Sequence, residues 1–299
     1  MRIVLFGKSG QLGWELQRAL EPLGEVISFG HGLGETNADF TKPESIAETI
    51  RSIKPSVIVN AAAYTAVDEA EGEPELANLV NAEAPRVLAR EAASLGAWLI
   101  YYSTDYVFDG SGKAPWVETD LPSPLNAYGR SKLAGERAIQ NSGCHHLIFR
   151  TSWVYSTHGK NFLKTILKLA ADRETLSIVD DQFGAPTGVE LLANVTTHAL
   201  KAVLDGNDLS GLYHVAAAGE TSWHDYAKFA IEFARQRHAE LKVVSVQPIA
   251  TRDFPMKAKR PLNSRLETKK LREGFGLALP DWRQGVERTI LDILKTWAQ

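Results

Sequence analysis

Cysteine is nearly absent from this chain of 299 residues, and long apolar runs are missing altogether. The single Cys144 excludes an intrachain disulfide, and its place before a predicted strand favours a structural role. Apolar runs such as 57–59 have the length of a strand, far below the roughly 20 residues of a membrane-spanning helix. The sequence opens directly on a strand pattern, so we expect no targeting segment and a cytoplasmic location.

Excess charge of one sign is also lacking. The formal net charge is −3, acidic and basic residues are interspersed, and no long basic run occurs. Electrostatic capture of nucleic acid or of a membrane surface therefore has no support, and a small-molecule partner is expected. None of the 8 histidines has the spacing of a metal site, while 44% apolar residues suit a soluble globular enzyme.

What is present is an alternation of short apolar runs with segments of helical periodicity, typical of a doubly wound parallel sheet. The predicted strands are 3–6, 25–29, 57–60, 98–103 and 147–151, and the helices between them are 12–20, 43–53, 75–95 and 133–140. We expect an α/β fold with a Rossmann-like sheet in 1–150, completed by part of 188–216. Residues 151–187 and 217–299 are expected to form mainly a smaller substrate-binding lobe.

Beyond residue 150 the pattern is looser. The predicted elements there are helices at 161–173, 189–204, 223–237 and 282–298 and strands at 177–179 and 212–215. Two segments with several prolines, 109–126 and 251–265, are expected to be ordered loops, because proline lowers the entropy that a loop loses on closing over a ligand.

Three glycines follow the first strand and open the first helix. Gly7, Gly10 and Gly13 leave room for a phosphate to approach backbone N–H groups at the positive end of the helix. Their spacing, G-x-x-G-x-x-G, differs from the common G-x-G-x-x-G, and any tight strand-to-helix turn favours glycine. Together with the motifs downstream, the spacing predicts a site for the pyrophosphate of a dinucleotide.

The second strand ends without the acid that usually binds the ribose 2′-hydroxyl of NADH, because Gly30 and His31 stand there. His31 and Lys42 are candidates for the 2′-phosphate of NADPH, so the preference between the two cofactors stays open. Asp39 and Phe40 stand where such folds hold adenine, but a capping acid beside a core phenylalanine explains them equally well.

Polar residues follow two further strands. Asn60 ends the third strand and is followed by three alanines, which permit close passage of a cofactor. Thr104 ends the fourth strand, where its hydroxyl could bind a substrate carbonyl oxygen. Tyr128 and Lys132 are four residues apart on a predicted helix, so one face presents both, and the ammonium is expected to lower the pKa of the phenol. This set indicates carbonyl reduction on a nicotinamide cofactor.

Segments spread over nearly the whole chain carry a closer resemblance. They are FGKSGQLGWEL, NAAAYTAVDEAE, YYSTDYVFDG, YGRSKLAGE, FRTSWVYS, DQFGAPTG and RPLNSRL. The chain resembles the dTDP-4-dehydrorhamnose reductase family, within the extended short-chain dehydrogenase/reductases. The resemblance implies that Tyr128 is the proton donor, Lys132 its electrostatic partner and Thr104 the hydroxyl that orients the carbonyl. It implies a cofactor lining of Gly7, Gly10, Gln11, Leu12, Gly13, Asp39, Phe40, Ala63, Tyr64, Thr65, Tyr102, Tyr128 and Lys132.

The same resemblance implies the substrate and the reaction. Asp105 and Trp153 would contact the sugar with Thr104, and NADH or NADPH would reduce the C4 keto group of dTDP-4-dehydro-β-L-rhamnose. The product, dTDP-L-rhamnose, serves surface polysaccharides such as the lipopolysaccharide O-antigen. Family members often have an acid where Gly30 stands, and that departure concerns only the choice of cofactor.

A metal ion is implied only weakly. Some members of the family are homodimers with Mg²⁺ held by interface acids, and Glu15, Glu190 and Asp292 would correspond to these acids. Solvated faces of three helices explain the same residues. Arg260 and Arg265 could pair with a diphosphate, although surface arginines are commoner.

Two other functions remain open at the level of sequence. A nucleotide-sugar epimerase or 4,6-dehydratase would use the same tyrosine and lysine with retained NAD⁺. Tyr106, where similar dehydratases have a glutamate, counts against elimination of water. A regulatory subunit that only binds a dinucleotide is the third reading, and the joint presence of Thr104, Tyr128 and Lys132 favours catalysis over it.

Overall fold

The computed structural model describes residues 1–30 and 38–297, in which strands and helices alternate. The strands are β1 (Arg2–Phe6), β2 (Glu25–Phe29), β3 (Val57–Asn60), β4 (Trp98–Thr104), β5 (His146–Thr151), β6 (Val154–Tyr155), β7 (Thr175–Val179), β8 (Phe183–Gly184), β9 (Thr187–Gly188), β10 (Gly211–His214), β11 (Thr221–Ser222) and β12 (Ser245–Ile249). The helices are α1 (Gln11–Leu20), α2 (Pro43–Ile53), α3 (Pro74–Asn78), α4 (Ala84–Leu95), α5 (Ala127–Gln140), α6 (Phe162–Asp172), α7 (Val189–Leu204), α8 (Trp223–Gln236), α9 (Lys269–Phe275) and α10 (Trp282–Trp297). No described helix combines the length and apolarity needed to cross a bilayer.

A parallel six-stranded sheet forms the centre of the fold, in the order β10-β5-β4-β3-β1-β2. Its strands are apolar and buried because helices cover both faces. The strand order reverses at β1, which has β2 on one side and β3 on the other. Ligands of open α/β sheets bind at such a switch point, beyond the carboxyl ends of the strands. The predicted fold class, a doubly wound parallel sheet, is confirmed.

Two apolar layers hold the helices on the sheet. On one face, Leu16 of α1 and Leu200 of α7 are fully buried with Leu5 of β1. On the other face, Leu88 of α4 packs with Ile148 of β5 and neighbouring apolar residues. Burying a side chain of this size stabilises the fold by about 1.5 to 3 kcal/mol. These layers fix the strand ends, and with them the crevice above the sheet.

The remaining strands form small sheets outside the main one. β7 pairs with β12, β8 with β11 and β6 with β9. Helices α6, α8 and α10 enclose a separate core that contains Tyr226 and Trp282. Helix α9 instead packs on the main sheet through Leu271 and Phe275. The division of the chain into two domains at the predicted boundaries stays a prediction.

Several elements differ from the sequence-based expectation, and α9 and the two-residue strands β6, β8, β9 and β11 were not predicted. The helix predicted at 75–95 is interrupted by one turn of π-helix at Leu79–Glu83, which lies between α3 and α4. Helix α5 begins six residues earlier than predicted, because Asn126 accepts a hydrogen bond from the Gly129 N–H (2.8 Å) and caps it. Strand β12 was not predicted; Pro248 is tolerated in it because β12 pairs on one side only.

Candidate active site

The motifs that follow separate strands come together at one edge of the sheet. Phe6 of β1 is in register with Asn60 of β3, and Thr104 of β4 with Thr151 of β5. Because all these strands are parallel, their carboxyl ends form one rim. The glycine turn after β1 and the polar ends of β3, β4 and β5 therefore line one crevice at the switch point.

Two of the three glycines in the turn have no room for a side chain. Gly7 has φ +88°, and a Cβ there would lie 2.6 Å from the Ala61 carbonyl carbon. A Cβ on Gly13 would lie 1.9 Å from the Gly7 oxygen. Gly10 caps α1 and would meet nothing closer than 3.4 Å, so its surface is open. No side chain can stand at Gly7 or Gly13 beside the start of α1, and a pyrophosphate bound there stays a prediction.

Gln11 joins the glycine turn to the segment after β6. Its side-chain oxygen accepts hydrogen bonds from Ser156 Oγ (3.1 Å) and from Asn161 Nδ2 (2.9 Å). Asn161 in turn caps α6 by accepting from the Lys164 N–H (3.1 Å). Leu12, the next residue of the motif, packs partly buried against the core under α1.

The predicted adenine residues lie just after the part of the chain that is not described. Asp39 Oδ1 accepts hydrogen bonds from the Thr41 N–H (2.9 Å) and hydroxyl (2.6 Å), as a capping acid does. Lys42 Nζ lies 3.7 Å from the same carboxylate. Phe40 is buried with its ring edge-on to an aromatic side chain of β1. His31, the other candidate for a 2′-phosphate, lies outside the described residues.

Asn81, which sequence reasoning missed, holds the segment after β3. Its Oδ1 accepts from the Tyr64 N–H and its Nδ2 donates to the Tyr64 carbonyl, both at 2.9 Å. The Tyr64 hydroxyl donates to Glu73 (2.8 Å), which raises the pKa of the phenol. Ala63 is half-buried and Thr65 is exposed beside it. Asn81 lies in the π-helical turn, a feature frequent at functional sites that no sequence signal gave.

Tyr102 is placed differently from the other predicted cofactor residues. Its hydroxyl shares a 2.7 Å hydrogen bond with Thr196 of α7, and its ring lies in the core beneath the sheet. Burial raises the pKa of this phenol well above the usual range. The side chain therefore supports α7 against β4, and contact with a cofactor at this residue stays a prediction.

The two hydroxyls of the predicted catalytic set lie near each other. Tyr128 is the second residue of α5, and Thr104 at the end of β4 is close enough to the phenol to lower its pKa. The Tyr106 ring stands edge-on to the Tyr128 ring, with centroids 5.9 Å apart. Two adjacent hydroxyls at the end of a strand can bind a single carbonyl oxygen between them.

Lys132 lies one helical turn beyond Tyr128 and is only 2% exposed. Its Nζ lies 4.1 Å from the centre of the Tyr101 ring, a cation–π arrangement. Burial lowers the pKa of this lysine to about 7, while the charge of Glu136 opposes the shift. The ammonium is therefore partly neutral near pH 7.

The pKa of Tyr128 departs from the sequence-based expectation. Burial raises it well above the usual range, and the hydrogen bond from Thr104 only partly opposes this. The expectation was a lowered pKa, with Lys132 as the cause. The difference arises because both groups are buried, which disfavours the phenolate and the ammonium alike. In the free chain Tyr128 thus holds its proton firmly.

Asp105 adds a carboxyl group to the same corner. It is 2% exposed, and its Oδ1 accepts a hydrogen bond from Thr104 Oγ1 (3.1 Å). Burial raises the pKa of Asp105 to about 7, against the opposing effects of Ser264 and Thr104 as hydrogen-bond donors. Near neutral pH the carboxyl is therefore partly protonated, and it can donate as well as accept.

Aromatic rings form the far wall of the crevice. Trp153, just after β5, has φ +49° and stacks on Trp223 of α8 with centroids 3.6 Å apart. The ring lies so close to Gly184 that a Cβ there would approach it to 2.8 Å. The Trp223 Nε1 donates to Gln182 Oε1 (3.2 Å). The pair joins the end of β5 to the smaller core, where a ring can stack on a sugar.

The two arginines proposed for a diphosphate are both paired with acids. Arg260 binds Asp68 (2.6 Å), and its guanidinium carbon lies 6.0 Å from the centre of the Tyr106 ring. Its Nη1 is buried without a hydrogen-bond partner among the described residues. Arg265 binds Glu220 (2.5 Å) beside the crevice. Arg260 thus retains one free donor near the predicted site.

Two of the three acids predicted to bind Mg²⁺ are paired with a basic residue of their own helix. Glu15 pairs with Arg18, and Asp292 with Lys295 (2.7 Å). Glu15 and Glu190 both line a cleft of about 400 Å³ that α1, α7 and α10 border. Within residues 1–30 and 38–297 the one cluster with metal-ligand spacing consists of Asp180, His224 and Asp225. A shared ion between two chains therefore stays a prediction.

A buried ion pair behind Lys132 was also missed. Glu136 of α5 accepts two hydrogen bonds from Arg150 of β5, at 2.9 and 2.6 Å, and both side chains are at most 3% exposed. Both residues lie in motifs that the sequence analysis quoted, but neither received a role. The spacing of Lys132 and Glu136, four residues apart on one helix, is the signal that could have found Glu136.

The comparisons with known proteins agree over the full chain. A family model described as the RmlD substrate binding domain matches residues 1–295. The dTDP-4-dehydrorhamnose reductase of Escherichia coli K12 is 53% identical over 100% of both chains, and that of Salmonella typhimurium is 51% identical over 99% of both. At this identity and coverage, these relatives show to which family the chain belongs.

Solved structures lead to the same family. The dTDP-4-dehydrorhamnose reductase of Bacillus anthracis in complex with NADP is 36% identical, covers 97% of this chain and 99% of its own, and has a TM-score of 0.87. A UDP-glucose 4-epimerase of Thermus thermophilus with NAD, at 20% identity and TM-score 0.79, shares the fold alone. The chain therefore belongs to the dTDP-4-dehydrorhamnose reductases, a family of NAD(P)-dependent oxidoreductases among the extended short-chain dehydrogenase/reductases.

Proposed function

We propose that this enzyme reduces the C4 keto group of dTDP-4-dehydro-β-L-rhamnose to dTDP-L-rhamnose with NADH or NADPH, the last step of dTDP-rhamnose synthesis for surface polysaccharide. The observation that carries the assignment of roles is that Tyr128 and Thr104 both adjoin Tyr106, through its ring and its backbone N–H. These residues lie in the crevice that also contains the glycine turn. The family names and the NADP-bound relative support the reaction.

The cofactor supplies the hydride that adds to the keto carbon. We assign Thr104 and Tyr128 to the oxygen, where negative charge develops as the hydride arrives. Tyr128 then gives its proton to that oxygen. The raised pKa keeps the phenol protonated in the free enzyme. The proton is transferred only when the substrate oxygen gains negative charge and becomes a stronger base.

We assign Lys132 to stabilising the phenolate that this step leaves. Because Lys132 is buried and its pKa is about 7, it can take up a proton when negative charge appears beside it. Glu136 favours the charged form of Lys132 and is itself held by Arg150. The ion pair is thus a support for the lysine rather than a contact of the substrate.

Gly7, Gly10 and Gly13 with the start of α1 would hold the pyrophosphate of the cofactor, and Trp153 with Asp105 would hold the sugar. Lys42, a candidate for binding the 2′-phosphate of NADPH, is paired with Asp39 in the free chain. The preference between NADH and NADPH is therefore left to the assay. A homodimer that shares Mg²⁺ through Glu15, Glu190 and Asp292, and a cytoplasmic location, remain predictions.

The test follows oxidation of NADH and of NADPH with the dTDP-4-keto-6-deoxy-L-sugar, for wild type and Tyr128→Phe. General acid catalysis contributes about 10²- to 10⁴-fold, so kcat should fall by that factor while the Kd of the cofactor changes little. Tyr213→Phe is the matched control, because it removes a hydroxyl that binds only the Leu209 carbonyl (2.9 Å). Wild-type turnover in Tyr128→Phe would refute the assigned role, and absence of oxidation by wild type would refute the function.

A further inference from the structure

A buried histidine faces two carboxylates between the small sheet of β7 and β12 and the start of α8. His224, the second residue of α8, is 7% exposed, and its Nε2 donates to the Val246 carbonyl oxygen of β12 (3.1 Å). Its Nδ1 lies 3.6 Å from Asp180 Oδ1 and 3.4 Å from Asp225 Oδ1. The ligand atoms of these three side chains all lie within 4.8 Å of one another, so they can reach one common ion.

The hydrogen bond at Nε2 sets the state of the His224 ring. A carbonyl oxygen only accepts, so Nε2 carries a proton, and Nδ1 of the neutral ring presents a lone pair. Nδ1 makes no hydrogen bond in the described part of the chain, and the two oxygens that it faces are acceptors as well. A lone pair held against two carboxylates is unfavourable unless a cation lies between them.

The distances around Nδ1 favour a metal ion over a proton as that cation. A proton on Nδ1 would form charge-assisted hydrogen bonds of about 2.7 to 2.9 Å, shorter than either distance observed. Nitrogen and oxygen ligands bound at about 2.0 to 2.2 Å around a tetrahedral Zn²⁺ stand about 3.3 to 3.5 Å apart. The separations of 3.4 and 3.6 Å from Nδ1 to the two carboxylates are close to this spacing.

We propose that Asp180, His224 and Asp225 bind a divalent transition-metal ion, with Zn²⁺ as the ion whose ligand spacing fits. One imidazole and two carboxylates supply three of the four ligands, and water completes the set. An imidazole ligand selects such ions against Mg²⁺, which prefers oxygen ligands. The site therefore differs in place and in chemistry from the Mg²⁺ site predicted at an interface between two chains.

Neighbouring groups hold the three ligands in position before an ion binds. Ser222 Oγ donates to Asp180 Oδ1 (2.6 Å) and accepts from the Asp225 N–H (3.1 Å), so one hydroxyl ties both acidic residues together. The Val246 carbonyl fixes the orientation of the His224 ring, as backbone carbonyls commonly do for histidines that bind metals.

The ion acts on the aromatic wall of the crevice. Trp223 precedes His224 in the chain and stacks on Trp153, with ring centroids 3.6 Å apart. Its Nε1 donates to Gln182, which lies two residues after Asp180. An ion that joins Asp180 to His224 therefore fixes both segments that hold Trp223. This consequence rests on the proposed function: the ion should lower the KM for the sugar and leave kcat nearly unchanged.

Titration of the metal-free full chain with ZnCl₂, in competition with a chromophoric chelator, measures the site without any turnover. We expect one Zn²⁺ per chain, which excess Mg²⁺ does not displace. Asp225→Asn should weaken binding at least tenfold, because loss even of a group that only orients a ligand costs about 10- to 100-fold. Asp225 is exposed, so this variant should fold. Asp205→Asn is the matched control, at an exposed surface pair with Lys201.

Replacing Zn²⁺ with Co²⁺ reports the geometry, because tetrahedral Co²⁺ absorbs visible light far more strongly than octahedral Co²⁺. His224→Asn should remove this absorption, whereas His238→Asn, at an exposed histidine, should retain it. Failure of the wild type to bind Zn²⁺ would overturn the site. Equal affinity in Asp225→Asn and the wild type, or displacement of Zn²⁺ by Mg²⁺, would overturn it as well.

Oxidation of NAD(P)H with the keto sugar, at several Zn²⁺ concentrations, tests the effect on the aromatic wall. We expect the KM for the sugar to fall as the site fills in the wild type, and to stay unchanged in Asp225→Asn at the same concentrations. Zn²⁺ that binds but leaves KM unchanged would overturn the link to the aromatic wall. If the wild type oxidises no cofactor, the proposed function fails, and the titration still decides whether the metal site exists.

Discussion

Replacing Lys132 with methionine should stabilise the free enzyme while abolishing its activity. The side chain is 2% exposed and lies over the Tyr101 ring, so methionine keeps most of the buried apolar stem and loses only the amine. The buried charge is what disfavours the native state, because burial lowers the pKa of Lys132 from 10.5 to about 7.

The size of the effect follows from that shift. A difference of 3.5 pH units between 10.5 and about 7 corresponds, at about 1.4 kcal/mol per unit, to about 5 kcal/mol. Because the folded pKa lies below the unfolded one, the native state binds fewer protons between these values. The wild type therefore gains stability relative to the variant as pH rises from 7 to 10.5. The advantage of the variant should be largest at or below pH 7 and vanish above pH 10.5.

Urea unfolding of both proteins without cofactor, at several pH values from 6 to 10, measures this difference directly. Lys201→Met is the control, because Lys201 is exposed in a surface ion pair with Asp205, worth less than about 1 kcal/mol. A Lys132→Met protein that is less stable than wild type at pH 7 would refute the reasoning. A stability difference that does not change with pH would refute it equally.

Three further substitutions test the fold around the site. Gly13→Ala should abolish cofactor binding or folding, seen by cofactor titration and circular dichroism, because its Cβ would lie 1.9 Å from the Gly7 oxygen. Glu136→Gln leaves Arg150 buried and unpaired and should lower the free energy of unfolding by about 3 to 5 kcal/mol in urea. Tyr102→Phe removes one buried hydrogen bond and should cost about 1 kcal/mol of stability in urea unfolding.

The sequence predicted the parts of the site that depend on strand ends. Thr104 and the glycine turn were expected at one edge because parallel strands end together, and they lie there. Tyr128 was expected near Thr104 on the strength of motif order, and the Thr104 side chain is close enough to act on the pKa of the phenol. Periodicity and glycine spacing depend on residues close together in the sequence, so they predict local structure without knowledge of the tertiary fold.

What the sequence could not predict depends on burial and on distant partners. The direction of the pKa shift of Tyr128 was wrong, because a spacing of four residues says nothing about how deeply both groups are buried. Asn81 gave no signal, because its partners at Tyr64 and Ser131 are 17 and 50 residues away. The π-helical turn that presents it resembles an ordinary helix in sequence.

The amide of Gln11 has a consequence for how the binding of cofactor and the binding of sugar affect each other. Its oxygen already accepts from Ser156 and Asn161, so the glycine turn and the cap of α6 share one side chain. A dinucleotide that turns this amide must break those bonds, which changes the free energy of the segment after β6. Thermodynamic linkage makes the effect mutual: a sugar that orders that segment must alter cofactor affinity by the same factor. A side chain shared in this way is a route by which the affinities for cofactor and sugar can be coupled.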